Sequence, residues 1–231
     1  MLFKGLTKKY QHLKRYREIV EILLKHGFGY LIGELDLYQF VPLSKRIKAL
    51  DTAPPEASKA KRLRQVLEEL GPTFIKLGQL LSTRPDLLPQ DYILELEKLQ
   101  DQAPPISFEA VIEQLEDNLE SDYQDLFEEF SPQPLASASI GQVHRAILDD
   151  GTEVVVKVQR PGIEKKVNAD LDIMTDLAGM LERRVFADLF ISPVEVMDNF
   201  SELIKKELDY RNEARNSVKF KKNFAEDDSV K

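Results

Sequence analysis

ASASIGQVHRAILDDGTEVVVK, spanning Ala136 to Lys157, combines a tight loop, a β-hairpin and a strand-borne lysine. A loop that lays its backbone over phosphates needs small residues at its first, third and sixth positions, and these are Ala136, Ala138 and Gly141, with Val143 at the eighth. Alanine stands where glycine is usual, and only the last glycine is kept. Ser137, Ser139 and Ile140 fill the other loop positions, so the candidate phosphate contacts are Ala136, Ser137, Ala138, Ser139, Ile140, Gly141 and Val143. Val143 to Leu148 and Val154 to Val158 are β-rich and joined by Asp149-Asp150-Gly151, which predicts an antiparallel ribbon.

Lys157 follows Val154-Val155-Val156, an apolar run that reads as a strand buried on both faces. A buried ammonium costs several kcal/mol unless an anion sits beside it, so a phosphate or carboxylate is expected there. The plainer account is an edge strand whose lysine reaches water. The loop in register just before it favours the anion.

Toward the N-terminus the chain reads as helical through residue 130. Leu6 to Lys25 shows an amphipathic stripe of Leu6, Tyr10, Leu13, Val20 and Leu24, closed by Gly27 and Gly29. From Met1 to Lys25 there are seven basic residues (Lys4, Lys8, Lys9, Lys14, Arg15, Arg17, Lys25) against Glu18 and Glu21. Such a helix suits an anionic membrane surface or a partner, but the modest stripe without Trp favours packing on the protein's own core. Asp51 to Glu56 is a Pro-containing linker, and Leu63, Val66, Leu67 and Leu70 form a second stripe stopped by Gly71-Pro72. After Pro104, Ser107 caps a helix with Phe108, Val111, Ile112, Leu115 and Leu119 at helical spacing. Long charged helical patterns return from Ile163 to about Val185, with Leu171, Met174, Leu177, Ala178 and Leu181 on the buried side, and from Pro193 to about Phe224.

Two further segments carry unexplained polar groups. In Phe74 to Pro89, Lys76 and Gln79 sit three apart on an otherwise apolar helix with no carboxylate within one turn of the lysine. A distant partner or a lysine snorkelling to solvent both account for this, and Gly78 permits close approach of another backbone. In Lys205 to Asn216, Asp209 and Glu213 share a helical face, whereas Glu207 points roughly 160° away from Asp209 on a regular helix. One compact site using both acids requires a distortion; the alternative is a solvated charged face.

Composition narrows the function. The formal charge of −8 argues against a general nucleic-acid binder. There are no cysteines, and His12, His26 and His144 are too scattered for zinc. The most apolar neighbourhood, Ile19 to Val41, is broken by Lys25, His26, Glu34 and Asp36, and no leader peptide is visible, which fits a cytoplasmic setting.

In this order the three segments resemble the UbiB family of atypical protein-kinase-like ATPases, which includes the mitochondrial regulators of coenzyme Q synthesis. The family's K-x-G-Q signature is matched by Lys76-Leu77-Gly78-Gln79, its alanine loop by Ala136 to Gly141, its nucleotide lysine by Lys157, its E-x-D motif by Glu207-Leu208-Asp209 and its lysine-pairing glutamate by Glu213. The resemblance implies an α+β fold in which a helical extension, residues 1–130, wraps part of a kinase-like small lobe, residues 131–231. It assigns catalytic roles to Lys76, Gln79, Glu207 and Asp209, with Lys76 meeting Glu207 or Asp209, and nucleotide binding to the loop, Val143, Lys157 and Glu213. ATP with Mg2+ is the implied cofactor, and enzymes of quinone or prenyl-lipid synthesis, with an anionic membrane surface, the implied partners. No His-x-Asp or Asp-Phe-Gly motif occurs, so the magnesium ligands of the family's large lobe are missing from these residues. The expectation is therefore an N-terminal part of such a protein, inactive by itself. The competing expectation is a non-catalytic helical module that docks on a membrane or partner.

Overall fold

The computed structural model describes residues 2–41, 57–100, 103–119, 121–185, 192–225 and 227, with side chains from His12 onward. The expected linker over Asp51 to Glu56 lies outside these residues, as do the side chains of Leu6 and Tyr10. The chain forms two compact units, Met1–Ile173 and Met174–Lys231.

In the first unit, α1 (Leu2–Lys25) ends where Gly27 adopts a left-handed φ of 77°, and Phe28 N–H bonds back to Leu23 O at 2.9 Å. Gly29 opens α2 (Gly29–Glu34) rather than closing α1. The buried stripe of the described part of α1 is Tyr16, Ile19, Val20 and Ile22, while Leu13, expected inside, is 45% exposed. Tyr16 stacks on Phe40 with ring centroids 4.9 Å apart. The described part of α1 thus packs on its own core, as the modest stripe suggested.

Ser58 caps α3 (Lys59–Leu70) by accepting from Lys61 N–H at 3.2 Å. Gly71, at φ 94°, ends α3, and Pro72 starts α4 (Pro72–Ser82) at a position that needs no N–H donor. The helices α5 (Gln90–Leu96) and α6 (Phe108–Leu119) follow, the latter capped by Ser107 as expected. Val111 and Leu115 are its buried positions, and Leu119 is 48% exposed.

The three-stranded antiparallel sheet has the order β1 (Phe127–Ser137), β2 (Gly141–Leu148), β3 (Glu153–Gln159). The β2–β3 ribbon turns at Asp149-Asp150-Gly151, with Gly151 at φ 80°. The first 130 residues are therefore not all helical, since β1 begins at Phe127. This strand carries Pro132 and Pro134 and is irregular between Phe130 and Pro134, which an outer strand paired on one side tolerates. Val158 joins Val111 and Leu115 in a cluster flanked by Val156, Phe130, Ile106 and Ile112, so α6 covers one face of the sheet.

A buried ion pair ties the ends of this unit together. Asp170, 1% exposed on α7 (Ile163–Arg184), accepts from Arg15 Nε at 2.7 Å and from Thr73 Oγ1 at 2.8 Å, while Arg15 Nη2 donates to Leu70 O at 2.7 Å. Burial works against the Arg15 charge, but Asp170 together with Glu18 outweighs it and raises the guanidinium pKa.

The second unit holds the end of α7, then α8 (Pro193–Leu208) and α9 (Tyr210–Asn223). Leu171, Met174 and Ala178 of α7 are buried as expected. Ser192 caps α8, accepting from Glu195 N–H at 3.1 Å. The helical pattern from Pro193 to Phe224 is not one helix: Asp209, at φ −88° and ψ 91°, interrupts it.

Candidate functional site

The loop of the first unit is built by β-pairing. Ser137 pairs with Gln142, and Ala138 N–H donates to Gly141 O at 2.8 Å, closing the turn between β1 and β2. No residue from Ala136 to Gly141 has a left-handed φ, so no loop position requires glycine for its backbone conformation. Ser139 and Ile140 are buried, at 2% and 5% exposure.

Across the next pair of strands Val143 lies directly opposite Lys157, and Gly141 opposite Gln159. Directly opposed residues in an antiparallel ladder share a face, so the lysine stands beside the eighth loop position. This face is open: Lys157 is exposed and Val155 is 67% exposed. The strand is thus not buried on both faces. An unalternating Val-Val-Val run cannot distinguish one covered face from two, and here only Val156 and Val158 turn toward α6. An exposed ammonium at the mouth of a backbone turn suits an anion approaching from solvent.

Below that face a relay of hydrogen bonds fixes the sheet to the segment before α6. Ile106 N–H donates to Gln142 Oε1 at 3.0 Å, Gln142 Nε2 meets His144 Nε2 at 2.8 Å, and His144 Nδ1 meets Ser131 O at 2.8 Å. With Gln142 Nε2 as donor, the neutral imidazole carries its proton on Nδ1 and gives it to the carbonyl. This completely buried histidine serves packing, away from the open face.

Lys76 and Gln79 are half-buried on α4, where Thr73, Phe74 and Gly78 form the buried face. Gln79 Nε2 donates to Leu99 O at 3.1 Å, which anchors its amide to the chain beyond α5. Gly78 admits side chains rather than another backbone. A Cβ there would lie 2.3 Å from Leu99 Cδ1 and 2.8 Å from Leu67 Cδ1.

In the second unit Glu207 sits in the last turn of α8, Asp209 caps α9 and Glu213 lies in its first turn. The break at Asp209 is the distortion that a site using both acids requires. Asp209 accepts from Arg211 N–H at 3.1 Å and from Arg211 Nε at 2.7 Å, and the guanidinium holds its carboxyl below the ordinary carboxylate range. Glu207, Asp209 and Glu213 line one groove of this unit, together with Phe220 and Phe224. Among the described residues no three acidic or histidine side chains gather as a metal site. Nor is any described helix long and apolar enough to cross a membrane.

Sequence reasoning overlooked Arg160, which follows β3 and donates to three acceptors around the loop, and the Arg15–Asp170–Thr73 cluster. An arginine wedged between a strand and Pro161-Gly162 is the signal that was there for the first. Residues 98–231 match the family model described as the ABC1 atypical kinase-like domain. A probable protein kinase UbiB from Marinobacter nauticus is 48% identical over 170 residues, covering 74% of this chain and 31% of that protein. A protein from the hydrogenase 1 5′ region of Clostridium pasteurianum is 41% identical over 208 residues, covering 90% of this chain and 36% of its own length. A solved structure from Mycobacterium tuberculosis, Rv3197 with erythromycin, is 37% identical, with 73% of this chain and 43% of that one aligned at a TM-score of 0.49. The chain spans well under half the length of these curated relatives. With mixed helices, a small antiparallel sheet and this family match, the chain belongs to the ABC1 atypical kinase-like family, which includes its UbiB relatives.

Proposed function

We propose that residues 1–130, within which β1 begins at Phe127, form the mainly helical extension, and residues 131–231 part of the small lobe, of a UbiB-type kinase-like ATPase. It binds ATP with Mg2+ and supports ubiquinone or related isoprenoid-lipid synthesis from the cytoplasm or the membrane surface. The observation that carries this reading is the Val143–Lys157 pairing, which sets an ammonium on the same sheet face as the mouth of the alanine loop. In the proposed site the loop backbone covers the phosphates and Lys157 neutralises them; a nucleotide-binding role is also proposed for Glu213. Catalytic roles are proposed for Lys76 and Gln79 of α4 and for Glu207 and Asp209. The Asp209 break supports this assignment, because it frees the two acids from the opposed directions of a regular helix.

Binding of a fluorescent ATP analogue to the full-length protein tests this. Lys157→Ala is expected to weaken binding about tenfold or more while moving stability by only about 0.5 kcal/mol, since the side chain is exposed. Unchanged affinity removes the site. This chain by itself is expected to show no Mg2+-dependent ATP turnover, and measured turnover overturns that expectation.

A further inference from the structure

We infer that Arg160 is the positioning residue of the alanine loop, holding its peptide planes from behind so that no glycine is needed to shape it. The inference rests on the reading of that loop as a nucleotide loop. Arg160 immediately follows β3, and its backbone N–H donates to Ile140 O at 2.9 Å, continuing the β2–β3 ladder into the turn. Its side chain then donates to Ala138 O through Nε at 2.9 Å, to Ser137 Oγ through Nη2 at 2.9 Å, and to Pro104 O through Nη2 at 2.7 Å. The segment before α6 closes the arrangement from the other side, with Ala103 N–H donating to Ser137 O at 3.4 Å.

The chemistry follows from peptide geometry. In a planar trans peptide the N–H points opposite to the C=O. Fixing the Ala138 and Ile140 carbonyls on Arg160 therefore turns the N–H groups of Ser139 and Gly141 away from Arg160. Backbone N–H groups are what a phosphate accepts from in such a loop. A glycine loop reaches its phosphate-binding shape by conformational freedom; this loop reaches it through an external guanidinium and stays there. The guanidinium is suited to the task, because its planar fork serves several acceptors at once and an ammonium does not.

The test is hydrogen exchange of the loop amides, 137–141, together with fluorescent ATP-analogue binding, on the full-length protein. Arg160→Ala is expected to accelerate exchange of those amides about tenfold or more and to weaken nucleotide binding by a similar factor. Arg160→Lys, with one compact donor group, is expected to recover only part of both. Ser137→Ala, which removes a single acceptor, gives a smaller increase and serves if the first variant fails to fold. Exchange at 137–141 that is unchanged in a folded Arg160→Ala protein, or fully restored by lysine, overturns the inference. If the parent protein binds no nucleotide while loop exchange still answers to Arg160, the nucleotide reading falls and the clamp stands.

Discussion

Helix α4 and helix α9 both carry residues assigned to the site, yet they are held in opposite ways. On α4, Thr73, Phe74 and Gly78 are buried, and Thr73 reaches the carboxylate of Asp170 across 97 residues of sequence. On α9 no residue is buried, and the cap that starts it is bonded by an arginine two residues away. Helix α4 is fixed by the tertiary core, and Lys76 and Gln79 inherit that fixity. Helix α9 is fixed by its own first turn, and Glu213 depends on it. Substitutions in α4 should therefore register as loss of stability, and substitutions in α9 as local loosening.

The largest effect is expected from Arg15→Ala. It leaves the Asp170 carboxylate, 1% exposed, without its cation, and breaking a buried pair in this way costs about 3–5 kcal/mol. Denaturant unfolding measures it, and a loss below about 1 kcal/mol would show that α4 is not held by this cluster. Next comes Gly78→Val, which drives new methyl groups into Leu99 and Leu67 and is expected to cost about 2–3 kcal/mol by the same measurement. A neutral result would mean that α3, α4 and α5 slide freely past one another.

The smallest global effect is expected from Asp209→Ala. The unfolding midpoint should barely move, while amide exchange within residues 210–223 should rise severalfold. Acid should mimic the substitution. The Asp209 carboxyl is held below its ordinary value by Arg211, so its contribution is complete above the unfolded-state value and is lost as pH falls through the lower folded value. Exchange of α9 that is insensitive to acid in this window would show that Asp209 is not what starts the helix.

Much of α4 was legible because its start and its stripe are local signals. Gly71-Pro72 marks a helix boundary by chemistry, and Phe74 and Gly78 recur at helical spacing. Ser107 and the Asp149-Asp150-Gly151 turn were legible for the same reason. The partners of these elements were not, since Asp170, Leu99 O and Pro104 O lie far away in sequence and leave no periodic trace. Strand β1 was concealed by Pro132 and Pro134, which argue against a strand until its outer position is known. The break at Asp209 was concealed by a charge pattern that runs helically through it. Only the conflict between the directions of Glu207 and Asp209 hinted that the helix had to yield. The motif residues themselves were readable, whereas Arg160 was not, because a guanidinium gathering carbonyls depends on where the chain returns.

The Arg15–Asp170 bond, spanning 155 positions, also dictates an order of events during synthesis. Helices α1 and α4 leave the ribosome long before the acid that joins them. At roughly 5–20 residues added per second, the interval between Thr73 and Asp170 lasts on the order of 5–20 s. Throughout that time the nascent N-terminal helices carry a cation that has only Glu18 of its own helix as a partner, 2.9 Å away in the finished fold, and not yet its buried acid. They therefore complete their packing only after the sheet and the start of α7 have been made, which leaves a long interval for chaperones to engage the growing chain.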